Sequence, residues 1–94
     1  MMSDVIAELE ATLRQRAALP PADSYTARLL AAGEDEIVKK VGEEAVEVIL
    51  AAKGQGDVRL VEEAADLVYH LLVLLLSRGL SWDDVEAELA RRRQ

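Results

Sequence analysis

Ninety-four residues with a 51 % apolar fraction make one domain, residues 1–94, with no room for a second catalytic module. The net charge of −7 argues against a nucleic-acid backbone as partner, because phosphates need basic surface. It leaves open a small phosphorylated substrate, since a bound cation can supply the positive charge. The absence of Cys removes disulfides and thiol chemistry and suits a reducing, cytoplasmic setting. With no Phe and one Trp, the core must be built from Ala, Leu and Val, which favours close helix packing over a sheet. A monomer of this size buries only roughly 60–65 % of the surface its unfolded chain exposes, so a homodimer or higher homo-oligomer is expected.

The punctuation along the chain is helical throughout, and the expected fold is an all-α antiparallel bundle of about five helices. Residues 4 to about 17 carry Val5, Ile6, Leu9 and Leu13 at helical spacing, and Pro20-Pro21 ends that element. The start, Met1-Met2-Ser3-Asp4, shows no basic segment followed by an apolar core, so no secretion signal is expected. Ser24 is placed to cap a short helix over 25–32, closed by Gly33. Glu34, Asp35 and Glu36 open a long helix reaching residue 53, where the helix dipole favours negative charge. Gly54 and Gly56 break the pattern, Asp57 is placed to cap a helix over 58–78, and Gly79 ends it. Ser81-Trp82-Asp83-Asp84 has the form of a capping box for a last helix to about residue 92. The apolar run 67–76 contains Tyr69 and His70 and is too short to span a bilayer, so no membrane partner is expected.

Two acid pairs flank the glycine break. Glu44-x-x-Glu47 precedes Gly54-Gln55-Gly56, and Glu63-x-x-Asp66 follows it. At a spacing of three the members of each pair are neighbours on one helix face. Folding the two helices back antiparallel brings four carboxylates into one small volume, where they repel one another unless a hard, oxygen-seeking cation such as Mg²⁺ balances them. Helical phase supports that outcome. Ile37, Lys40, Val41, Glu44, Glu47, Val48 and Ala51 share one face, so the first pair is embedded among apolar residues. On the next helix Arg59, Glu62, Glu63, Asp66, Tyr69 and His70 form a polar stripe on an otherwise apolar cylinder, which implies burial around most of its circumference. Taken alone that stripe is most simply a solvated face; taken with the first pair, the metal site is the better account.

The wider pattern is more specific. Ser24-Tyr25-Thr26-x-x-Leu29-Leu30-x-x-Gly33, Ile37-x-x-Lys40-x-Gly42-Glu43-Glu44-Ala45-x-Glu47, Ala51-Ala52-Lys53 and Glu62-Glu63-Ala64-Ala65-Asp66-Leu67-x-Tyr69-His70 together resemble phosphoribosyl-ATP pyrophosphohydrolase of histidine biosynthesis. The resemblance runs over residues 4 to 93. It implies an all-α fold of the MazG-like pyrophosphohydrolases and Mg²⁺-dependent hydrolysis of phosphoribosyl-ATP to phosphoribosyl-AMP and pyrophosphate, with Mn²⁺ as a possible substitute. It also implies the stand-alone form, because the chain has no space for the cyclohydrolase of the next step.

On this resemblance Glu44, Glu47, Glu63 and Asp66 are the metal ligands. Glu43 and Glu62, adjacent to the ligands, are candidates to support them or to act as general base, and either is equally well a solvated surface charge. Lys40, Lys53, Tyr25 and Arg28 are the substrate contacts. For Lys40 an ion pair with Glu44 competes evenly with a phosphate contact; for Lys53 the competing role is to complement the helix end, and for Tyr25 it is packing. His70 reads as a hydrogen-bonded core residue, Trp82 as an anchor for the last helix, and Arg91-Arg92-Arg93 as a solvated tail. Two other functions share some of these features. A house-cleaning pyrophosphohydrolase would take a deoxynucleoside triphosphate with the same acids. A non-catalytic dimerisation module would use Val46 and Leu50, which lie away from the acidic face.

Overall fold

Each helix starts and stops where the chain supplies a partner for the amides and carbonyls that a helix end leaves unpaired. The computed structural model describes residues 4–18 and 24–93, and every regular element among them is an α-helix. These are α1 (Val5–Ala18), α2 (Tyr25–Ala32), α3 (Glu34–Gly54), α4 (Asp57–Ser77) and α5 (Trp82–Arg92). The stop expected at Pro20-Pro21 and the expectation made for Met1-Met2-Ser3 lie outside the described residues.

Asp4 Oδ1 accepts a hydrogen bond from the Ala7 amide at 3.0 Å, and Ser24 Oγ accepts one from the Ala27 amide at 3.1 Å. Gly33 serves two helices. Its amide donates to the Leu30 carbonyl to close α2, and its carbonyl accepts from the Ile37 amide to open α3. A φ of +99° at this single-residue joint is open to glycine and costly for other residues. The break after α3 works differently from the sequence expectation. Asp57 is the first residue of α4 rather than its cap, and Gly56 at φ +88° makes the turn through its backbone. The Leu80 and Gly79 amides then reach back to the Leu75 and Leu76 carbonyls, a Schellman closure of α4. At α5 the Ser81 amide donates to Asp84 Oδ2 at 2.9 Å, the acidic half of the expected box.

The core joins four helices. Leu13 of α1, Leu29 of α2, Ile37 of α3, and Leu72 and Val73 of α4 are buried together, with Val68, Tyr69 and Trp82 packed around them. α3 and α4 form the most extensive pairing, a hairpin across Gln55 and Gly56; α2 packs on α3, and α1 bridges α2, α4 and α5. Trp82 holds α5 on α1 as expected of an anchor, by packing and by its amide, which donates to Glu10 Oε2 at 2.8 Å. Burial of α4 around most of its circumference does not occur in the single chain. Val58 and Val61 are 76 % and 68 % exposed, and Val46, Ile49 and Leu50 of α3 are about half exposed. Apolar area left in water on this scale is what a partner surface would cover.

Candidate metal and substrate site

The hairpin places the acids by simple counting. Glu47 and Glu63 each stand eight residues from Gln55, and Glu44 and Asp66 each stand eleven. Antiparallel packing therefore sets the two pairs level with each other. Glu43, Glu44, Glu47, Arg59, Glu63 and Asp66 line one cleft of 490 Å³. Within it, single carboxylate oxygens of Glu44, Glu63 and Asp66 all lie within 4.8 Å of one another. Glu47 lines the same cleft outside that closest trio.

Glu63 is the buried member, with 3 % of its surface accessible. A solvated stripe on α4 is thus only half the picture, because α3 covers the stripe at Glu63 and Asp66 stays open. Burial pushes the Glu63 carboxyl above the usual carboxylate range. The nearby Arg59 guanidinium pulls it back, while Asp66, Glu44 and Glu47 push further upward. Arg59 reaches Glu63 Oε2 at 2.6 Å and Glu62 Oε1 at 3.2 Å. Arg59 is not among the site residues expected from the sequence, although its i,i+4 spacing to Glu63 is legible there. Glu62 is exposed, faces Arg59 and does not line the cleft.

A second hollow of 270 Å³ adjoins the first and is lined by Tyr25, Arg28, Leu29, Ala32, Glu36 and Lys40. Lys40 does not pair with Glu44, as one account of it required. Glu44 is half-buried in the cleft, and the ammonium instead lies 3.4 Å from Glu43 on the rim. That pair joins the two hollows, since Glu43 belongs to the acid cleft and Lys40 to its neighbour. Lys53 lies in the last turn of α3, exposed, and lines neither hollow.

The Ser24-Tyr25-Thr26 segment holds α2 over the site. Ser24 caps the helix, Tyr25 Oη lies 2.8 Å from His70 Nε2, and the buried Thr26 hydroxyl bonds the Tyr69 phenol. His70 Nδ1 is 2.8 Å from the Asp66 carbonyl, which can only accept. Nδ1 therefore carries hydrogen, and in the neutral ring Nε2 accepts from the Tyr25 hydroxyl. Burial holds the Tyr25 phenol above its ordinary pKa against the pull of Lys40, so it keeps the proton it donates. His70 is a buried linker between α2 and the turn that carries Asp66, in agreement with its reading as a hydrogen-bonded core residue. The rings of Tyr25, Tyr69 and His70 also pack together, His70 meeting both tyrosines edge to face at 5.8 and 5.3 Å between ring centres.

The chemistry of this donor set fits a hard divalent cation: three convergent carboxylates, no nitrogen or sulfur donor among the clustered ligand atoms, and a half-open cleft. No helix of the described residues is long and apolar enough to cross a membrane.

Known proteins resemble this chain over nearly its whole length. The family described as phosphoribosyl-ATP pyrophosphohydrolase matches residues 6–93. A phosphoribosyl-ATP pyrophosphatase of Pelotomaculum thermopropionicum is 56 % identical over 91 residues, covering 97 % of this chain and 93 % of its own. One from Pyrobaculum aerophilum is 55 % identical over 92 residues and 98 % of both chains. One from Lactiplantibacillus plantarum is 54 % identical over 85 residues, 90 % of this chain and 80 % of its own. With a family match over nearly the whole sequence and relatives at this identity, the chain belongs to the phosphoribosyl-ATP pyrophosphohydrolase family.

Proposed function

We propose that this protein hydrolyses phosphoribosyl-ATP to phosphoribosyl-AMP and pyrophosphate, an early step of histidine biosynthesis in the cytoplasm, with Mg²⁺ held by Glu44, Glu47, Glu63 and Asp66. The observation that carries the reading is the convergence of Glu44, Glu63 and Asp66 beside a hollow lined by Lys40 and Arg28. When bound, the cation supplies charge neutralisation at the phosphate oxygens and acidifies a water for attack.

The chain's own residues do the rest. The acid cleft repels a polyphosphate until a cation offsets its carboxylates, so substrate binding depends on bound metal. Lys40 and Arg28, next to the cleft, take the phosphate charge that the carboxylates cannot. Tyr25, held by His70, presents a ring wall on the same hollow for the sugar or base. Glu43, on the rim between the hollows, is the better placed of the two proton acceptors, because it lines the acid cleft and Glu62 does not. Lys53 lines neither hollow and takes no part in this proposal.

The exposed apolar strip on α3 and α4 supports a homodimer as the working form. The test is a product assay with phosphoribosyl-ATP and Mg²⁺, run beside the common deoxynucleoside triphosphates. Pyrophosphate and phosphoribosyl-AMP are expected, and Asp66→Asn should lower turnover by about 100-fold with helicity unchanged. Orthophosphate as the first product, or full activity in Asp66→Asn, overturns the reading. Preference for a deoxynucleoside triphosphate assigns the same site to a house-cleaning role.

A further inference from the structure

Five carboxylates and one cation line the acid cleft, and the cation is Arg59. It holds two acids at once, and the two are unlike. The side chain of Glu63 is 4 % exposed and that of Glu62 is 57 % exposed. Glu63 is also one of the three carboxylates that converge for a cation. The shorter contact, 2.6 Å, is the one to Glu63, so Arg59 delivers its charge to a carboxylate that a metal needs. Two cations on one buried carboxylate repel each other strongly at such distances.

We infer that Arg59 is the resident counter-ion of this cleft, seated on Glu63 in the metal-free protein and moved onto Glu62 when a divalent cation binds, so that its departure sets the metal affinity. This inference rests on the metal reading above. Its path is open, because the Arg59 side chain is 51 % exposed and starts in the first turn of α4. Its outer seat is already in reach, since Glu62 accepts from the other guanidinium nitrogen at 3.2 Å. The guanidinium stays charged at any physiological pH, so the competition is not switched off by titration. A residue that only shapes the site weakens metal binding when it is removed. A competitor strengthens it.

Mn²⁺ binding to the full-length, chelator-stripped protein, followed by electron paramagnetic resonance or calorimetry, distinguishes the two. Arg59→Ala should bind Mn²⁺ about fivefold tighter than the parent, the effect of losing one half-exposed ion pair. Arg59→Lys should fall between, because a point charge holds a carboxylate less well than a planar fork. The metal-free Arg59→Ala protein should melt lower than the parent, and Mn²⁺ should raise its melting temperature more. If Arg59→Ala loses helicity, Arg59→Lys decides alone, and it must still bind tighter than the parent. Mn²⁺ affinity that is equal or weaker in the folded variants overturns the inference while leaving the metal site intact. Absence of Mn²⁺ binding in the parent and the variants overturns the metal reading and the inference together.

Discussion

Replacing Thr26 with valine deletes one hydroxyl and keeps the shape of the side chain. Thr26 is fully buried, at 0 % exposure, and its hydroxyl bonds the phenol of Tyr69 across the α2–α4 contact. Without it the Tyr69 hydroxyl loses its protein partner in a half-buried position, where water compensates only in part. The cost should be about 1–2 kcal/mol, a lost hydrogen bond plus part of the penalty for an unpaired buried group. Tyr69→Phe should cost a similar amount, because it strands the Thr26 hydroxyl away from water. The double variant removes both polar groups, so it should cost less than the sum by about 1 kcal/mol. In a domain of this size each kcal/mol moves the melting temperature by roughly 4–8 °C. Thermal unfolding of the four proteins should be followed by circular dichroism at one protein concentration and with chelator, because self-association and metal both shift the midpoint. Single-variant effects that simply add would refute the claim that this hydrogen bond pins α2 in place.

Lys40→Ala should lower turnover roughly tenfold or more, the worth of one charged hydrogen bond to phosphate, while Mn²⁺ binding persists. Loss of metal binding in that variant would mean that the lysine supports the cleft instead. Arg92→Ala should leave activity unchanged, since Arg92 is exposed, joins Glu88 at 2.8 Å on α5 and lines neither hollow of the site. Arg91 and Arg92 hold the Glu88 carboxyl below its ordinary range. A lowered folded pKa contributes stability that is present above about pH 4.3, the unfolded value, and is lost as pH falls through the folded value. Glu88→Gln should therefore lower the melting temperature at neutral pH and show a smaller further drop on acidification; an unchanged acid limb would refute the assignment.

Local rules make the helices legible in the sequence itself. Ser24, Gly33, Gly79 and Ser81 each announce a boundary through side-chain or glycine chemistry within a few residues, and each boundary falls there. The start of α4 differs by one residue from its expected place, because an aspartate after a glycine suits either cap or first turn. The left-handed φ of Gly56 decides between them. The acid quartet is legible because two i,i+3 pairs equidistant from a glycine break admit one simple closure. What helical period cannot carry is the covering of one helix by another. Glu63 reads as solvated on α4 alone and is buried once α3 lies over it, and Lys40 meets Glu43 because Glu44 turns toward α4. The Thr26–Tyr69 and Tyr25–His70 contacts join residues more than forty apart, where helical period has nothing to say.

The hairpin that makes the cleft also dictates when the cleft forms. Its four acids lie within residues 44–66, and the link between α3 and α4 is Gln55 and Gly56. Closing so short a loop costs little chain entropy, and contacts this local form early in folding. The repulsion among the carboxylates is therefore met on the way to the native state and not only once it is reached. Arg59 stands one turn before Glu63 on α4, so its positive charge meets that carboxylate as α4 itself winds and is already in place when α3 closes over the cleft.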